Sequence, residues 1–181
     1  MAALARFASE LLEEAKRFLE KAYQTTDQDG KNAFLHAAVM VGFAAFEAHV
    51  NAIADDFLSR PDLDLHARGV LAEHVVELID GEFREKDSLK IWRLEDRVLF
   101  LCRRFSRKPI DRRASYWSEF VEASKLRNSL THPKPDPPAI EPTAASRALK
   151  AIIELLAFMF ANIYSRKLPA YKRGLSSKLT F

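Results

Sequence analysis

Apolar side chains recur every three or four residues along most of this chain, and this period is the strongest constraint on its fold. In the first segment Leu4, Phe7, Leu11, Phe18 and Leu19 follow it. Such spacing places side chains on one face of an α-helix. The 181 residues include only five glycines, and few segments alternate as a half-buried strand does. The sequence therefore predicts an all-α protein, an antiparallel bundle of about five to six helices, with one domain over residues 1–165.

Turn and cap signals divide the chain into its predicted helices. Asp80-Gly81 is a turn dipeptide, and a helix ends before Pro61 because the residue preceding a proline avoids helical conformations. Asp111 is typical of an N-cap, and Pro142 suits a first helical turn. We predict helices at residues 3–25, 32–58, 65–79, 94–105, 111–130 and 142–164, whereas residues 82–93 fit neither class.

The composition favours a soluble protein of a reducing compartment. Cys102 is the only cysteine, so no internal disulfide can form, and within VLFLCRRF we interpret it as a core residue. The longest uncharged apolar run, residues 37–46, is shorter than the roughly 20 residues that cross a bilayer. We expect a cytoplasmic protein that does not enter a membrane.

Positive charge is concentrated in two places, although the net charge is only +3. Residues 103–113, the basic segment, contain six basic residues and one acidic residue, and the predicted C-terminal tail at 166–181 contains five basic residues and no acidic one. Clustered positive charge attracts phosphate backbones, so the basic segment is a candidate RNA-binding surface. The alternative is a solvated loop and tail. The candidate residues are Arg103, Arg104, Arg107, Lys108, Arg112 and Arg113.

The fifth predicted helix ends in the letters KLRNSLTHP. Arg127 lies on the same face as Ala123 and Leu130, and His132 follows five residues later, where Pro133 ends the helix. An arginine can bind a phosphate through two hydrogen bonds and a histidine can transfer protons, which suits cleavage of RNA by its own 2′-OH without a metal. The simpler alternative is that Arg127 pairs with a neighbouring helix and that His132 is an ordinary helix-end residue.

This run resembles the signature of the HEPN superfamily (higher eukaryotes and prokaryotes nucleotide-binding domains), in which an arginine is usually followed by Asn, Asp or His and, four to six residues after the arginine, by a histidine. Arg127, Asn128 and His132 occupy the three positions. The letters FEAHVN in the second predicted helix resemble the acidic stretch of these domains, with Glu47 and Asn51 one turn apart. The resemblance implies a homodimer in which two such motifs meet in one cleft. It also implies a metal-independent endoribonuclease that needs no cofactor and leaves a 2′,3′-cyclic phosphate.

The same resemblance implies a role for each of these residues. Arg127 would bind and stabilise the phosphate, His132 would transfer protons, and Asn128 would orient or polarise the reacting groups. Glu47 would position Arg127, with Asn51 as a further supporting residue; the alternative for Glu47 is that it faces solvent. The implied partners are RNA or a nucleotide, a second copy of the chain, and an antitoxin or regulatory protein of a toxin–antitoxin or phage-defence system. Residues 60–110 exceed a minimal bundle of this kind, and we interpret them as an insertion.

Two other functions fit the sequence. A non-catalytic HEPN module would bind RNA, a nucleotide or a partner protein, and a plain helical interaction protein would have the motif by chance. In the latter case, replacing the arginines of the basic segment with glutamine should leave the affinity for nucleic acid unchanged.

Overall fold

Six helices and one β-hairpin make up the described part of the chain. The structure, a computed structural model, describes residues 2–132 and 139–169. The predicted helical architecture is confirmed in its coarse form, with the addition of a small two-stranded sheet. The elements are α1 (Ala2–Gln24), α2 (Gln28–Leu58), α3 (Leu65–Ala72), β1 (His74–Ile79), β2 (Glu82–Leu89), α4 (Leu94–Phe105), α5 (Ser115–Thr131) and α6 (Pro142–Tyr164).

The central element is α2, which contacts all five other helices. It buries Val39, Phe43, Phe46, Val50 and Ile53. Among the described helices, α2 alone is long and apolar enough to cross a membrane, but half of its most apolar window is buried inside the bundle. We therefore interpret the apolar character of α2 as that of a core helix.

Two helices start away from their predicted positions, α2 because of a side-chain cap and α5 because a turn precedes it. The carboxylate of Asp27 accepts a hydrogen bond from the N–H of Gly30 at 2.6 Å and caps α2. The helix therefore begins at Gln28 and runs through the turn predicted at residues 29–30. Asp111 is not an N-cap: its carboxylate accepts from the N–H of Arg113 at 2.9 Å in a turn, and α5 begins four residues later at Ser115. The predicted bounds of α6 are confirmed.

The helix predicted at residues 65–79 is wrong in its second half. The α3 helix ends at Ala72, because Glu73 adopts a left-handed backbone conformation (φ 55°) that stops it. The chain then forms β1, which pairs antiparallel with β2. Asp80 and Gly81, both with positive φ, form the two-residue turn between the strands. Because this turn type favours Asp-Gly, the predicted turn was in fact the signal for a hairpin.

The remaining helices close the bundle over α2. Phe120 of α5 is fully buried against Phe43 and Phe46. Gly42 lets α6 approach closely, because an added Cβ would meet the side chain of Leu149. Cys102 is buried, as predicted, and burial raises the pKa of its thiol to about 12. The predicted proline connector at 133–138 and residues 170–181 of the predicted basic tail lie outside the described residues.

Candidate functional site

Arg127 is half-buried on α5, where that helix packs against α2. Its Nη2 donates to Oε1 of Glu47 at 2.7 Å, and its guanidinium carbon lies 5.4 Å from the ring centroid of Phe43. The predicted contact between Glu47 and Arg127 is therefore present. Because the two side chains are 47% and 26% exposed, this ion pair contributes at most about 1 kcal/mol to folding. Its main effect is to orient the guanidinium.

A cavity of about 420 Å³, here called the arginine cavity, opens beside Arg127. It lies between α2, α5 and the segment that leads from the hairpin into α4. Four residues singled out from the sequence line it: Glu47, Asn51, Arg127 and Asn128. The fold thus brings most of the predicted site residues to one concave surface.

His132 does not belong to this surface. It is the C-cap of α5, its N–H donates to the carbonyl oxygen of Asn128 at 3.0 Å, and its side chain is exposed. It does not line the arginine cavity. It lies five positions after Arg127, which corresponds to about 7.5 Å along a helix axis. Within one chain, the described contacts therefore do not bring the imidazole and the guanidinium together.

A second arginine, which the sequence analysis missed, forms the inner wall of the cavity. Arg97 of α4 is only 6% exposed. Its Nη1 binds Oδ1 of Asn51 and lies 3.0 Å from Oε2 of Glu73, and its Nη2 donates to the carbonyl oxygen of Leu71 at 2.9 Å. Burial lowers the pKa of this guanidinium, and the carboxylates of Glu73 and Glu47 oppose that change. Asn51, which the sequence offered with Glu47 as a supporting residue, has Arg97 as its described partner.

The signal for Arg97 was present in the sequence. Leu94, Arg97 and Leu101 follow each other at spacings of three and four, so the arginine lies on the apolar face of α4. A charged residue on such a face requires buried partners.

Three buried polar atoms at the arginine cavity have no hydrogen-bond partner among the described residues. They are Nε of Arg97, the indole Nε1 of Trp92 and the hydroxyl oxygen of Ser124. Ser124 and Arg97 are each more than nine-tenths buried. Most buried polar groups in proteins are satisfied, and these three atoms, with the two ring nitrogens of His49, are the exceptions among the described residues.

The basic segment lies away from Arg127. It precedes α5, whose first residue is about 18 Å along the helix axis from Arg127. Two contacts anchor the segment: the N–H of Arg107 donates to the carbonyl oxygen of Asn162, and Arg104 donates to the carbonyl oxygen of Asp62. All six of its basic side chains are exposed, and their binding of RNA remains a prediction.

A histidine away from the arginine cavity, His49, is buried in the core of the bundle. It is fully buried on α2, and neither ring nitrogen has a partner among the described residues. Its ring lies edge-on to Phe160, with 5.6 Å between the centroids. Burial lowers its pKa from 6.5 to about 4, so His49 is neutral at physiological pH.

Comparison with family models, with curated proteins and with solved structures gave no significant match. The HEPN resemblance therefore depends on the motif residues and on the helical architecture alone. Within residues 2–132 and 139–169, no group of three or more histidine, cysteine, aspartate or glutamate side chains is arranged to hold a metal ion.

Proposed function

We propose that this protein is a metal-independent endoribonuclease of the HEPN type, which acts on single-stranded RNA as a homodimer. The observation that supports this proposal best is the anchored guanidinium of Arg127. It lies beside a cavity, is held by Glu47 and Phe43, and shares its helix with the exposed imidazole of His132. A cytoplasmic toxin–antitoxin or phage-defence role, with an antitoxin or regulatory partner, is part of the proposal.

Arg127 can bind a phosphate without losing its contact with Glu47. A guanidinium has five N–H donors, and the described contacts of Arg127 use Nη2. The remaining donors suit bidentate binding of two phosphate oxygens. The same contacts strengthen as negative charge develops on the phosphorus oxygens in the transition state. Asn128, the next residue, lines the cavity and can hydrogen-bond the ribose or the phosphate.

His132 supplies proton transfer in this proposal. The 2′-oxygen attacks phosphorus, the bond from phosphorus to the 5′-oxygen breaks, and the products are a 2′,3′-cyclic phosphate and a 5′-hydroxyl. One imidazole accepts the proton of the 2′-OH, and a protonated imidazole donates to the leaving 5′-oxygen. Because one chain has a single His132, displaced along the helix from Arg127, a second copy related by a two-fold axis completes the set.

Cleavage of single-stranded RNA in EDTA tests the proposal. The wild-type protein should release 2′,3′-cyclic phosphate ends, and His132→Ala should lower the rate by about 10²- to 10⁴-fold. His132 is exposed, so this variant should fold. His36→Ala, which removes an exposed histidine of α2, is the matched control and should keep full activity. Equal rates for wild type and His132→Ala would identify a contaminating nuclease and end the proposal.

Two further measurements test the guanidinium and the dimer. Arg127→Gln should abolish cleavage, whereas Glu47→Gln, which removes the carboxylate but keeps a hydrogen-bond acceptor, should reduce it less. Light scattering at the concentrations of the cleavage assay should show two copies per particle. An active monomer would contradict the shared cleft.

The second proposed function is a non-catalytic module that binds RNA, a nucleotide or a partner protein. The position of His132 outside the arginine cavity favours it. In that case RNA remains uncut, Arg127→Gln weakens its binding and His132→Ala does not. Replacing the five arginines of the basic segment with glutamine then shows whether that segment adds salt-dependent affinity.

A further inference from the structure

A groove of about 820 Å³, here called the α1/α6 groove, lies between α1 and the second half of α6. Its apolar lining includes Ile153, Ala157 and Ala161 of α6 and Leu168 of the segment that follows α6. A ligand can reach all four side chains, since the two alanines are exposed and the other two residues are half-buried. The volume falls within the usual range for small-molecule sites. The groove is distinct from the arginine cavity, because no described residue lines both.

The apolar floor of the groove is long and narrow. Ile153, Ala157 and Ala161 follow each other at intervals of four, so their side chains lie on one face of α6. From the first to the last of them the floor extends about 12 Å along the helix axis. Leu168 adds apolar surface beyond the end of the helix. This shape suits an extended hydrocarbon chain.

The charged residues that line the groove leave an excess of positive charge. Arg166 and Lys167, which follow the C-terminus of α6, are both exposed, and neither forms an ion pair within the described part of the chain. The other two charged residues of the lining, Glu13 and Lys16, neutralise each other, with 2.7 Å between Oε1 and Nζ. The groove therefore has two cations that a negatively charged ligand can pair with.

These two cations lie at one end of the groove. The hydroxyl of Tyr23 in α1 donates to the carbonyl oxygen of Pro142 at 3.5 Å, so the last turn of α1 meets the first turn of α6 and the two helices run antiparallel. The pair of Glu13 and Lys16, seven or more residues before Tyr23, therefore lies nearer the middle of α6. A ligand with one apolar end and one anionic end matches this asymmetry.

The guanidinium of Arg166 is held in place by aromatic rings. Its central carbon lies 4.6 Å from the ring centroid of Tyr164 and 5.6 Å from that of Phe160. Stacking uses the face of a guanidinium, so the N–H donors at its edge remain available. Such an edge binds a carboxylate through two parallel hydrogen bonds, and Lys167 next to it adds a second positive charge.

We infer that the α1/α6 groove binds a fatty acid of medium chain length. Its hydrocarbon chain lies along Ile153, Ala157 and Ala161, and its carboxylate contacts Arg166 and Lys167. The charge of the groove is what selects an anionic occupant: residues 170–181 of the same chain contain three basic residues and no acidic one, so they do not supply the negative group. The inference does not depend on the proposed nuclease.

Calorimetric titration of the full chain tests the inference with octanoate, decanoate and laurate, each kept below the concentration at which it forms micelles. Laurate should bind saturably, with one molecule per chain. The affinity should rise about twofold to fourfold for each added methylene group, the effect of burying that group partly or fully. Failure of laurate to saturate, or an affinity that is independent of chain length, overturns the inference.

Two variants locate the chain and the carboxylate. Ala157→Glu places a charge on the apolar floor and should weaken laurate binding at least tenfold; the position is exposed, so the variant should fold. Ala33→Glu, at an exposed alanine of α2 outside the groove, is the matched control and should bind like wild type. Lys167→Gln should weaken laurate at least threefold and leave the uncharged dodecanol unaffected. Unchanged laurate binding in Ala157→Glu, or an equal effect of Lys167→Gln on both ligands, contradicts the inference.

Phosphatidylglycerol vesicles distinguish a free fatty acid from a membrane surface. Sedimentation of the protein with these vesicles, without saturable binding of dissolved laurate, would show that an anionic bilayer covers this face and would rule out a fatty-acid site. Saturable binding of laurate that is lost in Ala157→Glu and kept in Ala33→Glu assigns the ligand to the groove.

Discussion

The buried histidine of α2 should make the stability of this protein depend on pH in a way that one substitution removes. His49 has a pKa of about 4 in the folded chain, against about 6.5 for an exposed imidazole. Its folded-state pKa is lowered because burial penalises the charged form. The contribution of neutral, buried His49 to the free energy of unfolding is therefore complete above pH 6.5. It is lost as the pH falls from about 6.5 to about 4, and it changes no further below pH 4.

The size of the effect follows from proton linkage. Each tenfold difference in proton affinity between the folded and unfolded states corresponds to about 1.4 kcal/mol. At pH 7.5 neither state is protonated at this site, and at pH 4.5 the unfolded chain is protonated while the folded chain is largely neutral. Between these two values His49 should lower the free energy of unfolding by about 2.5 kcal/mol.

The assay compares wild type with His49→Leu by urea denaturation, followed by circular dichroism, from pH 7.5 to pH 4.5. Carboxylates elsewhere titrate in both proteins, so the difference between the two free energies isolates His49. That difference should shift by about 2.5 kcal/mol in favour of the variant as pH falls. His36→Leu, which removes an exposed histidine of the same helix, should follow wild type. Parallel curves for wild type and His49→Leu would show that His49 is not the buried neutral base described here.

Three further substitutions test the packing. Phe120→Ala should lower the free energy of unfolding by about 3–5 kcal/mol, since the ring is fully buried against Phe43 and Phe46; a loss below about 1 kcal/mol by urea denaturation would contradict that packing. Gly42→Ala should destabilise by about 1–3 kcal/mol although alanine favours helix, because its methyl group meets Leu149; a more stable variant would refute the close approach of α6. Gly81→Ala should cost about 1–2 kcal/mol at a φ of 84°, and amide exchange should quicken in the hairpin but not in α2; uniform quickening would contradict a local effect.

The helices of this fold were predictable where the apolar period and a boundary residue agree. Pro142 marks the start of α6, and the apolar side chains that recur from there to Tyr164 mark its length. The start of α2 was missed because Asp27 and Asp29 are equally good turn residues, and only the folded geometry shows which carboxylate caps the helix. The strand β1 was missed because a short apolar run suits a helix or a strand equally well. The Asp80-Gly81 dipeptide, with the residues on either side of it, was the signal that could have distinguished a strand from a helix at β1.

The candidate site was predictable only in part. Glu47 and Arg127 could be paired from sequence, because each is a charge on an apolar helix face and each needs a partner. Arg97 has the same character, but its partners come from the end of α3 and from α2, and no local pattern indicates where those segments meet. The arginine cavity exists only through that tertiary arrangement. Its unsatisfied donors therefore had no signal in the sequence beyond the residue types themselves.

Glu47 and Asn51, the residues of α2 that bind Arg127 and Arg97, restrict where the chain can accept insertions and deletions. Glu47 and Asn51 are one helical turn apart, so the helix itself spaces the two guanidinium groups, at about 6 Å along its axis. Lengthening the loop between α4 and α5 leaves that spacing untouched. Inserting or deleting one residue between positions 47 and 51 rotates one partner by about 100° and breaks the pairing with one arginine. Sequences that share this arrangement should therefore differ in loop length but keep the interval of four.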